Sequence, residues 1–524
     1  MSAIGVSRAG RIAIWLFIIA LASAIRFYRL GDPFVWNDEA FSVLLGRHSP
    51  AFIWLHTASD IHPPFYYELL HGWMLLWGDS PFAIRSMSAL LGVAGVALGI
   101  WLTHLVANRN AALVAGLMLA LLPIAVRYSQ EARMYTLMAL LLIAATIALF
   151  YWVRQPGKYG FLLAYVLLMS ASFYTHYLTT MCVIAHWGYL GVLALRNPQT
   201  PSLLRRLPWW LANVAIVVAY LPWLYTLWSV LGGSDVLTLK GSMGWIAGVT
   251  LGTLPSAYWR ALTATSGEAL FYPLQIVPPL VILILTIRLA LKDRSQYQLP
   301  TAIVIYTSLP LMVFLLISLV LPIFMERYVF FSLMGLPVVL ALLLDNLRGK
   351  VLKLTLILLL VSLEVIGLRT LYSQREDLDG NRNRGDFPFE EMATYIARSS
   401  IPGDRLVVDG SLWFFSVIYY NESPILPQLH RNIDSGIGSS TVLMPSAAQI
   451  YISDLALLPD GNCRVWWVGR SSEGTLFPGS WKLLSERPMG TMDLRLFQTA
   501  PNPTGAGCPA PATSSDAALR PRSA

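Results

Sequence analysis

A helix needs roughly 17–25 mostly apolar residues to cross the hydrocarbon core of a bilayer, and this chain carries such runs one after another from residue 12 to residue 371. About eleven can be read, at 12–30, 82–106, 110–127, 134–153, 159–176, 178–195, 208–230, 270–291, 298–321, 328–345 and 351–371. Backbone polar groups in hydrocarbon must be satisfied internally, so the runs predict an all-α polytopic membrane bundle. The uncharged stretch from Tyr159 to Leu195 is too long for one span, and Thr175–Leu178 is where it should break. The first run follows Arg8 and Arg11, as a signal peptide would. It ends in Arg26-Phe27-Tyr28-Arg29-Leu30, which is bulky and basic where a signal peptidase needs small residues, so it reads as a retained span.

Charge gives the orientation. Charged residues are 13% of the 524, about half the ~25% of a soluble domain. This argues against an ordinary soluble enzyme and rules out a disordered chain. The net charge of +8 calls for no nucleic acid partner if the basic residues collect on the cytoplasmic face. With the N-terminus inside, they do. Arg8, Arg11, Arg109, Arg154, Lys158, Arg196, Arg205, Arg206, Arg288, Lys292, Arg294, Arg348, Lys350 and Lys353 fall in inner loops or span ends, opposed there by Asp293 and Asp345. Eleven spans then leave the C-terminal region outside. The expected location is the inner membrane of a cell, multi-pass, with the outer loops and the C-terminal region facing the periplasm or exterior.

Two outer segments exceed what a connection needs. Residues 31–81 are rich in aromatics and amphipathic stretches, which suit helices lying in the interface. Residues 231–269 are rich in Gly and Ser and predict a loop over a site. Beyond Tyr372 the pattern changes. Arg405–Gly410 and Cys463–Gly469 read as strands, Phe389–Ser400 as a helix, and Pro402–Asp404 as a turn. The expected organisation is a transmembrane region over 1–371, a small α/β extracytoplasmic domain over 372–498, and a disordered Pro-, Ala- and Ser-rich tail over 499–524. The three cysteines show no metal-ligand spacing; Cys463 and Cys508 would face an oxidising space, where a disulfide can form.

The topology puts an unusual set of polar residues at the outer mouth of the bundle. These are Asp38 and Glu39, His62 in His-Pro-Pro, Arg127, Glu131, Arg133 and Tyr135 in Arg-Tyr-Ser-Gln-Glu-Ala-Arg-Met-Tyr, His176, and Glu326-Arg327. Charges near hydrocarbon are costly unless paired or wet, so the gathering is a site hypothesis. Each residue also has a bland reading. Asp38 can be a solvated loop acid, His62-Pro-Pro a rigid turn, and His176 a satisfied interfacial histidine. Arg127, Glu131 and Arg133 can pair with one another and with lipid head groups, and Arg327 can neutralise Glu326. Glu364, inside the last span, reads as a buried hydrogen-bonded or protonated carboxyl.

In that order, Asp-Glu, His-Pro-Pro-Phe-Tyr-Tyr and Ser-Gln-Glu-Ala-Arg-Met-Tyr resemble the C-type (GT-C) membrane glycosyltransferases. The likeness is to the bacterial branch related to protein O-mannosyltransferases and the aminoarabinose lipid A transferase, over roughly residues 12–350. The resemblance implies a bundle of about eleven to thirteen helices with interfacial helices in the first outer loop. It implies transfer of a sugar from a polyprenyl-phosphate donor to a glycolipid, polysaccharide or protein acceptor on the outer face, among membrane lipids, without metal or other cofactor. By resemblance Asp38 is the catalytic acid residue with Glu39 beside it, Glu131 the second acid, and Arg327 the arginine that meets the carrier phosphate. His62, Arg127, Arg133, Tyr135 and His176 complete the substrate-binding set. The chemistry agrees. A carboxylate takes the proton of a weakly nucleophilic acceptor hydroxyl, and a guanidinium fork receives the departing phosphate. Attack opposite the leaving group inverts the anomeric centre. The competing class is a lipid-linked sugar flippase or transporter without transferase activity; it would place polar groups near mid-bilayer, often in paired repeats.

Overall fold

The computed structural model describes residues 8–58, 62–197, 202–231, 248–250, 252–265, 272–375, 387–430, 451–452, 454–458, 460–470 and 475–501. Most of the expected loop at 231–269, and the tail from 502 with Cys508, lie outside the described residues. The chain divides into two compact units, one of Met1–Leu30, Arg85–Trp228 and Met243–Arg382, the other of Gly31–Ile84, Ser229–Ser242 and Asn383–Ala524.

The first unit is helical. Its elements are α1 (Arg8–Phe27), α5 (Pro81–Val106, which begins in the second unit), α6 (Arg109–Leu121), α7 (Pro123–Ser129), α8 (Tyr135–Arg154), α9 (Tyr159–Phe173), α10 (Thr179–Arg196), α11 (Leu207–Leu231), α12 (Thr253–Thr263), α13 (Tyr272–Lys292), α14 (Leu299–Ser318), α15 (Glu326–Leu333), α16 (Leu336–Asp345) and α17 (Lys350–Tyr372). Each apolar run of the sequence is therefore a helix or a pair of helices. The long uncharged stretch breaks between Phe173 and Thr179, as expected. Among the described residues seven helical segments can cross a membrane by length and composition, or eight with the bent pair α6–α7; α1 and α9 are shorter apolar helices. The protein is thus multi-pass, and the full count of crossings belongs to the topology proposed below.

The α6–α7 bend of 55° has a cause in the sequence. Pro123 has no N–H, so the carbonyl of Leu119 loses its helical donor. The replacement comes from α1: the fully buried Arg26 donates from Nη2 to Leu119 O (3.1 Å), from Nη1 to Ala120 O (3.0 Å) and from Nε to Ser129 Oγ (3.2 Å). Its positive charge also meets the negative end of α6. Gly92 of α5 makes room, since a Cβ there would stand 2.1 Å from Ser129 Oγ and 2.9 Å from Arg26 Nε. Gly367 does the same for α17, where a Cβ would meet Pro123 Cγ at 2.6 Å and the Leu262 carbonyl at 2.9 Å.

The second unit joins α2 (Asn37–Gly46), α3 (Pro50–Thr57) and α4 (Phe65–Trp77) to the C-terminal α/β region, with α18 (Phe389–Ser399) and α19 (Ser411–Tyr420). Among the described residues six strands, β1 (Arg405–Asp409), β2 (Pro427–His430), β3 (Tyr451–Ile452), β4 (Arg464–Gly469), β5 (Lys482–Met489) and β6 (Met492–Gln498), form one sheet in the order β3-β2-β1-β4-β6-β5. The first four are parallel; β6 is antiparallel to β4 and to β5. The two strands and the helix read from the sequence are β1, β4 and α18. Asp404 organises the turn into β1, accepting from Ile401 N (3.1 Å) and Trp466 Nε1 (2.9 Å), with Gly403 at φ +95°. One sheet face packs Val407, Val465, Trp467 and Phe497 into a core. α2 is clamped to α19: Phe415 N donates to Asn37 Oδ1 (3.2 Å), Val35 N donates to Tyr420 Oη (2.8 Å), and the Phe41 and Phe415 rings meet edge to face.

Candidate functional site

In the helical unit, three separate stretches meet. Arg127 lies on α7, and Glu131 and Arg133 lie in the turn that follows. Tyr135 opens α8, His176 lies between α9 and α10, and Arg327 stands in the first turn of α15. All six are buried, none more than 6% exposed. Rings tie the stretches together. Phe330 contacts Tyr128 (5.0 Å between centroids), Tyr128 contacts Tyr135 (5.5 Å), Tyr135 contacts His176 (6.2 Å), and His176 contacts Tyr328 (6.0 Å). The chain of rings thus begins and ends on α15, at Phe330 and at Tyr328, which is next to Arg327. Of the sequence-predicted residues, Arg127, Glu131, Arg133, Tyr135, His176 and Arg327 are brought together here.

Local structure explains how each is held. Arg127 and Glu131 form a buried ion pair of 2.5 Å at i,i+4, so the pairing foreseen within this motif is present. Gln130 anchors the turn to the end of α1, donating to Arg26 O (3.0 Å) and Tyr28 O (2.9 Å). Thr136 Oγ1 donates to Tyr128 O (2.8 Å) and so ties α8 back to α7. His176 Nδ1 accepts from Leu178 N (3.1 Å), which places the ring proton on Nε2.

Glu326 is the buried acid at the head of α15. Its partner is not the adjacent Arg327 but Arg260 of α12, whose Nη2 donates to Glu326 Oε1. Sequence reading missed Arg260, because it sits inside a segment read as loop. It also missed Arg26, and Arg85, a buried arginine whose Nη1 donates to Leu30 O (3.1 Å). Glu364 is fully buried, and among the described residues neither of its oxygens has a hydrogen-bond partner, which corrects the hydrogen-bonded reading of it.

The remaining predicted residues, Asp38, Glu39 and His62, belong to the other unit. Asp38 and Glu39 occupy the first turn of α2, where unpaired N–H groups favour a carboxylate. Glu39 is fully buried and Asp38 partly so. His62 is buried just ahead of α4. Phe41 meets Tyr67, and His71 Nδ1 bonds Gly46 O (2.8 Å), so α2 and α4 run in the same direction. Their N-terminal ends, with Asp38 and His62, therefore share one end of the pair. Among the described residues no three His, Cys, Asp or Glu side chains gather as a metal set would.

Residues 61–226 match the family model of dolichyl-phosphate-mannose-protein mannosyltransferases. Together with the fold, this places the chain in likeness among the C-type (GT-C) membrane glycosyltransferases related to O-mannosyltransferases. The chain is similar in structure to ArnT from Cupriavidus metallidurans in the apo state, with TM-score 0.60 and 14% identity over 93% of this chain and 98% of that one. It is equally similar to the same protein bound to undecaprenyl phosphate, with TM-score 0.60 and 13% identity over 94% and 98%. An oligosaccharyltransferase from Archaeoglobus fulgidus in the apo form matches at TM-score 0.51 and 11% identity, over 88% of this chain and 70% of that one. No curated protein sequence matches the chain significantly.

Proposed function

We propose that this protein is a membrane glycosyltransferase that moves a sugar from a polyprenyl-phosphate carrier to an acceptor on the outer face of the cytoplasmic membrane, with inversion. The observation that carries the reading is the buried cluster at one end of the helical unit, three arginines with Glu131, His176 and a continuous chain of aromatic rings. Burying guanidinium groups is costly, and they are suited to binding the oxygens of a phosphate. The likeness to a protein whose structure holds undecaprenyl phosphate agrees with a polyprenyl phosphate as the donor's carrier.

In this reading Arg327 receives the carrier phosphate, with Arg133 and Arg127 supporting the developing charge. Tyr135 and His176 form the wall against which the sugar lies. Asp38 takes the proton of the acceptor hydroxyl as the new C–O bond forms, and Glu39 and His62 flank it. Residues 1–371 form the membrane transferase, with eleven crossings and the C-terminal α/β region outside. The transferred sugar is a hexose or pentose, and the acceptor a glycolipid, polysaccharide or protein. A flippase or transporter is not favoured, since the matching family model is that of a transferase and the charged side chains gather at helix ends rather than mid-helix.

Mass spectrometry of envelope glycans with and without the protein identifies the sugar. Transfer from the corresponding polyprenyl-phosphate donor is then measured in proteoliposomes. Asp38→Asn should fold and transfer nothing; wild-type turnover would remove Asp38 from the base role. Arg327→Ala should lose on the order of 10²–10³ in rate, with donor use affected more than acceptor use. An unchanged donor dependence would count against phosphate binding there.

A further inference from the structure

α8 opens beside the arginine cluster at Tyr135 and ends, at its other extremity, in a second basic site. The 20 residues of α8 span about 30 Å, the thickness of the hydrocarbon core, from Tyr135 to Arg154. At the Arg154 end a cavity of about 190 Å³ opens between the ends of α8 and α10 and the segment that enters α11. Its polar lining includes Arg154, Arg206 and Ser202, and its apolar lining includes Leu190 and Leu193.

Three features indicate what fits. The described lining carries two arginines and no carboxylate. Arg154 is held in place by donating to Leu105 O (2.6 Å), Arg206 is exposed, and Asp293, the acid of the neighbouring turn, is taken up by Ser295 and Thr301. The size suits a head group only, being below the roughly 300–1,000 Å³ that encloses a whole drug-sized ligand. The wall continues into lipid: α11 begins beside Arg206 and exposes Leu207, Leu211 and Val214 along its length.

We propose that this cavity is a binding site for the phosphate head group of an anionic phospholipid in the leaflet opposite the transferase cluster, with the acyl chains lying along α11. Basic pockets between transmembrane helices on the cytoplasmic side recognise such head groups. The site is independent of the transferase reading.

The test uses the full protein in a neutral detergent, with thermal unfolding and native mass spectrometry as readouts. Phosphatidylglycerol should raise the unfolding temperature and stay bound, while phosphatidylcholine and inorganic phosphate should do neither. Arg206→Gln, at an exposed position, should weaken phosphatidylglycerol binding about fivefold. Arg348→Gln, an exposed charge in another loop, should leave it unchanged. Equal stabilisation by inorganic phosphate would make this a site for soluble phosphate and overturn the lipid assignment. Equal weakening by Arg348→Gln would reduce it to diffuse surface attraction. Phosphatidylglycerol binding no tighter than phosphatidylcholine would also overturn it.

Discussion

Replacing Arg26 by Met tests how the helical unit holds its bent pair together. The methionine keeps the apolar stem and removes the guanidinium. Two carbonyls at the end of α6, Leu119 O and Ala120 O, then lose the donors Arg26 supplies at 3.1 and 3.0 Å. For Leu119 the chain offers no substitute, because the residue four positions on is Pro123. A buried acceptor left unmade costs about 1–3 kcal/mol, so two give about 2–6 kcal/mol. Arg26→Lys keeps the charge but cannot reach three acceptors with one ammonium, and should fall between. The assay is unfolding in detergent followed by tryptophan fluorescence. Transfer activity should fall along the same series, since Ser129 and Gln130 tie the Glu131–Arg133 turn to this residue and its carbonyl. Arg26→Met unfolding within about 1 kcal/mol of wild type would refute the capping argument.

Other outcomes follow from particular contacts. Gly92→Ala should destabilise the helical unit, because the new methyl would stand 2.1 Å from Ser129 Oγ; an unchanged unfolding temperature would mean that Ser129 and Arg26 rearrange at no cost. Glu364→Leu should stabilise by about 1–3 kcal/mol by removing a buried carboxyl without partners, and activity should persist; loss of activity would give Glu364 a role in transfer. Arg260→Gln should raise the donor KM more than it lowers kcat, because the Glu326 carboxylate, left without its guanidinium partner, would lower the positive potential near Arg327, and adding Glu326→Gln should restore donor use; a double variant as poor as the single would exclude that route. Desolvation raises the pKa of Glu68 on α4 in the folded protein, so its protonated form favours folding. Its contribution is present below the unfolded carboxylate pKa and lost as pH rises through the folded one, and Glu68→Gln should flatten this part of the stability–pH profile.

Much of the helical unit could be read from the sequence because apolar length is itself the constraint. Each run had to become helix, and the break near His176 fell where a polar Thr-His pair interrupts an uncharged stretch. The bend at Pro123 is local too. What no local pattern shows is the donor that makes the bend tolerable, since Arg26 lies 94 residues before the second carbonyl it caps. The same limit hid the fold of the second unit. Residues 31–81 read as amphipathic helices, and α2, α3 and α4 are helices. Yet the contact that fixes Val35 comes from Tyr420, 385 residues away, and nothing in either stretch advertises the other.

The candidate site divides along the same line. Arg127, Glu131, Arg133 and Tyr135 share one motif, and their mutual placement follows from a short helix and a turn. His176 and Arg327 joined them on topology alone, through the argument that span ends on one face converge, and their ring contacts with Tyr135 and within α15 agree with it. The error of sequence adjacency was at Glu326-Arg327. Two neighbours of opposite charge at the start of a helix point in different directions, since successive side chains on a helix do not face each other. Glu326 therefore found Arg260 on α12, a helix placed in the sequence inside a polar stretch too short and too mixed to read as a span. The acid at the head of α15 is thus neutralised from outside the predicted set, and Arg327 keeps its place beside Tyr328 and the rings without being required as that acid's counter-ion.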